Sequence, residues 1–228
     1  MLPGPDQVIA CPNCRTLARY RTILSGNTIG ARTWTDGKQV APRLPHPPAV
    51  VRCAACHEVY WLAEAREIGE VDAWDGEPTA DPGWLAAPHV AEPDEETYYV
   101  AIARGLHGNA EEERTLRVLA WWRSNDADRG EIETIEPAPA AAAPGSPDMD
   151  AQRQANLRAL LRLIDEEDDD AERLMKAEVL RELGEFEIAE AVLEEITAPN
   201  LAKIVREFRA LCRARDLRVR ELQLGSES

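Results

Sequence analysis

The stretch CPNCRTLARYRTILSGNTIGARTWTDGKQVAPRLPHPPAVVRCAAC, Cys11 to Cys56, begins and ends on a Cys-x-x-Cys pair. Each such knuckle presents two thiolates to one ion at about 2.3 Å, and two knuckles complete a tetrahedral four-cysteine site. Knuckles usually stand ~15–20 residues apart. Here 38 residues separate Cys14 from Cys53. A ribbon tolerates such an insertion because its hairpins only need to bring the chain back to the metal. Four thiolates leave no open coordination position. The pattern therefore predicts one structural Zn²⁺ per chain on Cys11, Cys14, Cys53 and Cys56, replacing the apolar core that so short a segment lacks.

Two other chemistries share parts of this pattern. CAACH at 53–57 matches a c-type haem attachment with His57 as axial ligand. That chemistry needs export, and the opening MLPGPDQVIACPNC lacks the basic start and apolar run of a signal peptide. A thioredoxin-like redox pair belongs at the start of a helix in a strand–helix–strand pattern, a setting neither pair has. The remaining thiol, Cys212, falls on an apolar helix stripe and reads as buried and inert.

Between the knuckles, SGN and TDG are turn signals around the β-favouring run Thr28 to Thr35. Asp36-Gly37 suits a tight turn back into KQVAP, so the stretch reads as an inserted β-hairpin. Alternation would put Arg32 and Trp34 on one face, with Lys38 beyond the turn. A Trp flanked by cations can stack on a base or clamp a peptide, which makes Arg32, Trp34 and Lys38 a candidate interaction surface. The alternative is that Trp34 is a core residue and the two cations are solvated flanks. After the second knuckle, Tyr60 and Trp61 are expected to cover the ribbon.

The net charge of −16 is unevenly spread. Residues 1–60 carry seven Lys/Arg against three Asp/Glu, residues 61–150 six against twenty-one, and residues 151–228 thirteen against eighteen. The bulk field therefore repels nucleic acid, and a polyanion would have to meet one of the two basic ends, the N-terminal one or Leu201–Arg220. No apolar run approaches the ~18 residues that span a bilayer. The expectation is a soluble cytoplasmic protein with reduced thiols.

Pro137 to Asp150, PAPAAAAPGSPDMD, offers almost nothing to bury and reads as a linker. Beyond it lie four amphipathic stripes: Leu157/Leu160/Leu161/Ile164, the segment DAERLMKAEVLREL, Phe186/Ala189/Val192/Leu193/Ile196, and Leu201/Ile204/Val205/Phe208/Leu211/Cys212. Their short connections predict antiparallel neighbours. A helical pair, DEETYYVAIARGLH and AEEERTLRVLAWWRSN, precedes the linker. AEVLRELGEFEIAEAVLEEI resembles one tetratricopeptide-type hairpin, although ~3 repeats are usual for a self-standing solenoid. DEEDDD at 165–170 lacks the central Gly and closing Glu of a calcium loop and reads as an acidic lead into a helix N-terminus.

The blocks CPNC, SGNTIGARTWTDGK, LPHPPAVVRCAAC, YWL, AWWRSND and AEVLRELGEF together resemble a group of uncharacterised bacterial four-cysteine zinc-ribbon proteins with a helical tail. That resemblance implies the same architecture and supplies no activity. This chain departs from the usual knuckle in lacking Gly after each second cysteine, where Arg15 and His57 stand.

No phosphate loop, nucleophile elbow or His-Glu-x-x-His pair occurs. The expected fold is α+β, with a zinc ribbon and inserted hairpin at 1–70 and a Pro/Trp-containing connection at 71–91. A helical hairpin at 92–129, a linker at 130–150 and a tetratricopeptide-like bundle at 151–228 follow. The expected function is that of a non-enzymatic adaptor binding protein partners through the ribbon hairpin and helical tail. The alternatives are a nucleic-acid-binding ribbon and, third, an enzyme of unknown reaction.

Overall fold

Two cysteine-bearing turns organise the N-terminal strands in the computed structural model, which describes residues 1–72, 81–130, 147–164 and 169–223. After β1 (Leu2–Pro3), β2 (Asp6–Ala10) runs into the first knuckle and returns as β3 (Leu17–Tyr20), with Gln7 opposite Tyr20 and Ala10 opposite Leu17. β4 (Ile23–Ser25) pairs back on β1. The chain then makes β5 (Arg32–Thr33) and β6 (Gln39–Val40). β7 (Val50–Arg52) and β8 (Val59–Trp61) form a second hairpin whose connection is the second knuckle. β9 (Arg66–Val71) pairs with the free edge of β2, giving the order β3–β2–β9. Val8, Ile9 and Ala10 are all buried, as a central strand covered on both faces requires.

The chain divides into two compact units, and the division does not follow the sequence. Met1–Ala31 and Ala41–Leu106 belong to the first. Arg32–Val40 belongs to the second, with the described residues from His107 onward.

In the first unit a short helix, α1 (Pro82–Leu85), sets the Trp84 ring over Gly69. A Cβ at Gly69 would lie 2.3 Å from Trp84 Cη2, so only glycine fits there. The helix α2 (Glu95–Ala103) is capped by Asp94, whose carboxylate accepts from Thr97 N at 2.8 Å. Trp61 Nε1 donates to the Leu106 carbonyl at 3.0 Å. Around the knuckles Ile9, Val51, Tyr60 and Val90 form a core cluster with Cys11 and Cys53. Tyr60 covers the ribbon as expected, while Trp61 is half-buried.

The second unit contains α3 (Ala110–Ser124), α4 (Pro147–Leu161), α5 (Asp170–Glu182), α6 (Phe186–Glu194) and α7 (Ala202–Ala214). Trp121, Leu157, Leu160 and Val179 knit α3, α4 and α5 together. Ala177, Phe186, Ala189, Leu193, Val205 and Phe208 join α5, α6 and α7, and Cys212 is buried among them. All four stripes read from the sequence thus face cores. Gly184, at φ +81°, ends α5 in a left-handed turn with Glu185 N bonded to Leu180 O at 2.9 Å. Asp169 caps α5 through Ala171 N at 2.8 Å, as an acidic lead into a helix should; residues 165–168 of that run lie outside the described residues.

Several boundaries differ from expectation. The helical pair placed together at 92–129 is divided, α2 lying in the first unit and α3 in the second. α3 is instead tied to α4, where Asn156 Nδ2 donates to the Arg117 carbonyl at 3.0 Å. The connection after α2 is short, but its length sets only the distance between helices, and the apolar residues of α3 match α4 and α5. α4 begins at Pro147, inside the stretch read as a linker, whose residues 131–146 lie outside the described ones. The α5–α6 hairpin is present, with α7 and α4 packed about it; among the described residues no repeat pattern extends it.

Candidate metal centre

The two knuckles are built alike. In the first, Cys11 N donates to Thr16 O at 3.0 Å and Arg15 N to Cys11 O at 2.9 Å. In the second, Cys53 N donates to Glu58 O at 2.9 Å and His57 N to Cys53 O at 3.0 Å. Each turn closes on a left-handed residue, Arg15 at φ +63° and His57 at φ +62°. These are the two places where the usual knuckle has glycine. The conformation survives without it, at a cost of roughly 1–2 kcal/mol per residue for an L side chain.

The turns bring all four sulfurs within 4.8 Å of one another. Cys11 Sγ lies 3.8 Å from Cys56 Sγ, and Cys14 Sγ lies 3.6 Å from Cys53 Sγ, so each close pair crosses between knuckles. A tetrahedron with arms of about 2.3 Å has edges of about 3.8 Å. A disulfide would hold its sulfurs at about 2.05 Å, and all five cysteines are free thiols. The donor set thus fits one tetrahedral ion. Among the described residues it is the one group of His, Cys, Asp and Glu gathered closely enough to hold a metal.

Electrostatics differ around the ring of sulfurs. Cys14 is exposed, and the Thr16 hydroxyl 3.3 Å from its sulfur, with the Thr16 backbone, brings its thiol down to about 6. The Asn13 side chain lowers Cys56 from across the site. Burial pushes Cys11 up to about 11. Tyr60 is pushed up to about 12, first by burial and then by the four sulfurs, so its hydroxyl stays protonated. A cation at the centre reverses the penalty on Cys11, because a coordinating thiol is deprotonated outright.

The residues singled out between the knuckles lie in the second unit. β5 and β6 pair Arg32 with Val40 and Thr33 with Gln39. Gly37, at φ +78°, turns the chain, and Gly37 N donates to Trp34 O at 2.9 Å. Thr28–Ala31 forms a turn closed by Ala31 N on Thr28 O rather than part of the strand expected there. Trp34 is 1% exposed, which is the core placement, with Arg32 4.9 Å and Arg129 5.6 Å from its ring centroid. Arg32 pairs with Glu221 at 2.7 Å and Lys38 with Asp126 at 2.8 Å. The trio is therefore not presented as one open face. Edge bonds from the tail complete the hairpin, Thr35 N to Arg220 O and Leu222 N to Thr33 O, both at 2.8 Å.

Beneath the hairpin lies a polar cluster that sequence reasoning missed. The Asp36 side chain is wholly buried and is ion-paired to the equally buried Arg129. Asn125 Nδ2 donates to Asp36 Oδ2 at 3.1 Å and to Glu182 Oε1 at 3.1 Å. Trp121 Nε1 donates to Glu182 Oε2 at 2.9 Å, and Trp122 Nε1 to the Asp36 carbonyl at 2.9 Å. Burial raises Asp36 despite Arg129, and it raises Glu182 well above the carboxylate range, with Glu178 adding to the effect. A second buried pair, Glu178–Arg181 at 2.6 Å, ties α5 to the tail, since Arg181 also donates to the Arg218 carbonyl at 3.0 Å. Asp36 looked like a turn residue, and Arg129 and Asn125, which meet it, are remote in sequence, so no local signal marked the cluster.

No helix among the described residues is long and apolar enough to cross a membrane. Comparison with protein-family models, with curated proteins and with solved structures finds no match.

Proposed function

We propose that this is a zinc protein whose metal is structural and whose role is that of an adaptor between protein partners. The observation that carries the metal reading is the sulfur geometry. Four free thiols with cross-knuckle separations of 3.6 and 3.8 Å match the edge of a tetrahedral four-sulfur zinc site. Such a site has no open position for substrate or water, so the ion's contribution is to fold stability. The adaptor role is favoured by charge. A body with net −16 repels polyanions, whereas a basic protein partner gains from it. The stacking residue that a nucleic-acid surface would need, Trp34, is in a core.

Metal analysis of protein purified without added metal should give one zinc per chain. Cys14→Ser should lower both the zinc content and the stability of the first unit. Iron, haem or a disulfide at these cysteines would end the metal reading. Affinity capture from native lysate, with and without nuclease, tests the second half: specific protein capture that survives nuclease supports the adaptor. Capture that disappears with nuclease, or salt-dependent binding to DNA or RNA at physiological ionic strength, favours the nucleic-acid alternative.

A further inference from the structure

The chain leaves the first unit at Ala31, supplies Arg32–Val40 to the second, and returns at Ala41. Both departures lie between Cys14 and Cys53, inside the loop that the metal centre closes. From this path we propose that the four-cysteine centre acts at a distance on the helical unit. Zinc on Cys11, Cys14, Cys53 and Cys56 keeps the Arg32–Val40 hairpin seated in the second unit, and zinc loss loosens helices that contribute no metal ligand. The inference rests on the metal reading given above.

The second unit depends on that hairpin. Trp34, Thr35 and Asp36 are buried in it, and Asp36 is the buried partner of Arg129 and of Asn125. Withdrawing the hairpin leaves those groups without their partner, a costly outcome for buried polar atoms. The hairpin's own pairing is meagre, two residues in each strand, so it does not hold its shape alone.

The first unit in turn depends on the ion. Two of the six residues of its core cluster are the ligands Cys11 and Cys53. Without a cation, nothing draws together the four thiols on which the β2–β3 and β7–β8 hairpins converge, and the binding energy of such a metal site is folding energy. While the unit is folded, internal bonds hold Leu106 close to Val50. Leu106 is tied to Trp61, and Trp61 through β8 to β7. Once it unfolds, the 66 residues of Ala41–Leu106 become a flexible loop between the hairpin and the helices. Closing such a loop scales as the 3/2 power of its length, which lowers the seating equilibrium by up to roughly 500-fold.

The test is hydrogen exchange with mass spectrometry on the full chain in reducing buffer, zinc-loaded, stripped by chelator, and reloaded, with zinc stoichiometry measured on each sample. The expected result is that peptides covering 32–40, 119–130 and 202–214 lose protection by tenfold to several hundredfold on stripping and regain it on reloading. Unchanged protection of 119–130 and 202–214, while 1–31 and 50–71 lose theirs, would overturn the coupling and leave the metal reading intact. Zinc absent from the purified and reloaded chain would overturn both, and the stoichiometry distinguishes the two failures.

Discussion

Replacing Asp36 by Asn is the sharpest probe of how the inserted hairpin is held. The substitution keeps the shape and, with the amide oxygen at the Oδ2 position, the hydrogen bond from Asn125. It removes the charge that faces Arg129, at the further loss of the Oδ1 acceptor for Lys38 N, both ion-paired side chains being wholly buried. Deleting one partner of a buried ion pair costs about 3–5 kcal/mol, because the remaining charge is left without compensation. Arg129 keeps two other acceptors, Asp126 Oδ1 at 2.9 Å and the Trp122 carbonyl at 2.5 Å. Those bonds reduce the loss to about 2–4 kcal/mol at neutral pH. Urea unfolding of zinc-loaded protein measures it, with 222 nm ellipticity reporting the helices.

Arg129→Met separates the two charges further. Asp36 is then the uncompensated group, and burial already raises its pKa. A carboxyl whose folded pKa lies above its unfolded one binds a proton more readily when folded, so stability is regained as pH falls through the folded value. The Arg129→Met deficit should therefore shrink in acid, while the Asp36→Asn deficit, which leaves a permanent cation, should not. A loss under about 1 kcal/mol for Asp36→Asn, or the same pH dependence for both variants, would refute the claim that this pair pins the hairpin.

Glu182 should make the second unit less stable as pH rises from 5 to 8, because its raised pKa means the folded state holds a proton that the unfolded state releases. Glu182→Gln should flatten that slope and stabilise the unit at pH 8, as read by thermal unfolding across pH. Arg15→Gly and His57→Gly place glycine where φ is +63° and +62°. Each should tighten the metal centre by about 0.5–1 kcal/mol, a two- to fivefold gain in zinc competition with a chromophoric chelator.

The four-cysteine cluster and the helical stripes were legible because both signals are local. Two Cys-x-x-Cys pairs name four thiols that can share an ion without any knowledge of the path between them, and Val205, Phe208 and Cys212 share a face by helical spacing alone. The fate of the hairpin was not legible. TDG reads as a turn because Asp and Gly favour turns, and here Gly37 does take the left-handed φ of +78°. Yet Trp34, Thr35 and Asp36 are buried in succession, which no period-two pattern allows. What buries them comes from Asn125, Arg129 and the tail at Val219–Leu222, contacts separated by 85 residues or more. The C-terminal end of α3, Trp121 to Asn125, faces the same buried cluster.

The charge under the hairpin fixes its position rather than its burial. β5 and β6 have two residues each, and the apolar contact of the hairpin is carried mainly by the buried Trp34. Apolar burial is non-directional and does not by itself choose one register over another. The Asp36–Arg129 pair, with Asn125 and the Trp122 indole fixed on the same residue, accepts one position of the turn and no neighbouring one. An ion pair adds little net stability over a packed apolar equivalent, but misplacing it strands a buried charge at about 3–5 kcal/mol. Selectivity is therefore its main contribution. The corresponding double variant, Asp36→Leu with Arg129→Met, should recover much of the stability lost by either single change. It should also broaden hydrogen exchange across residues 32–40, because an apolar contact restores burial without restoring register. Recovery of both stability and uniform slow exchange would show that register is set elsewhere, by the edge bonds from Thr33 and Thr35 to Leu222 and Arg220.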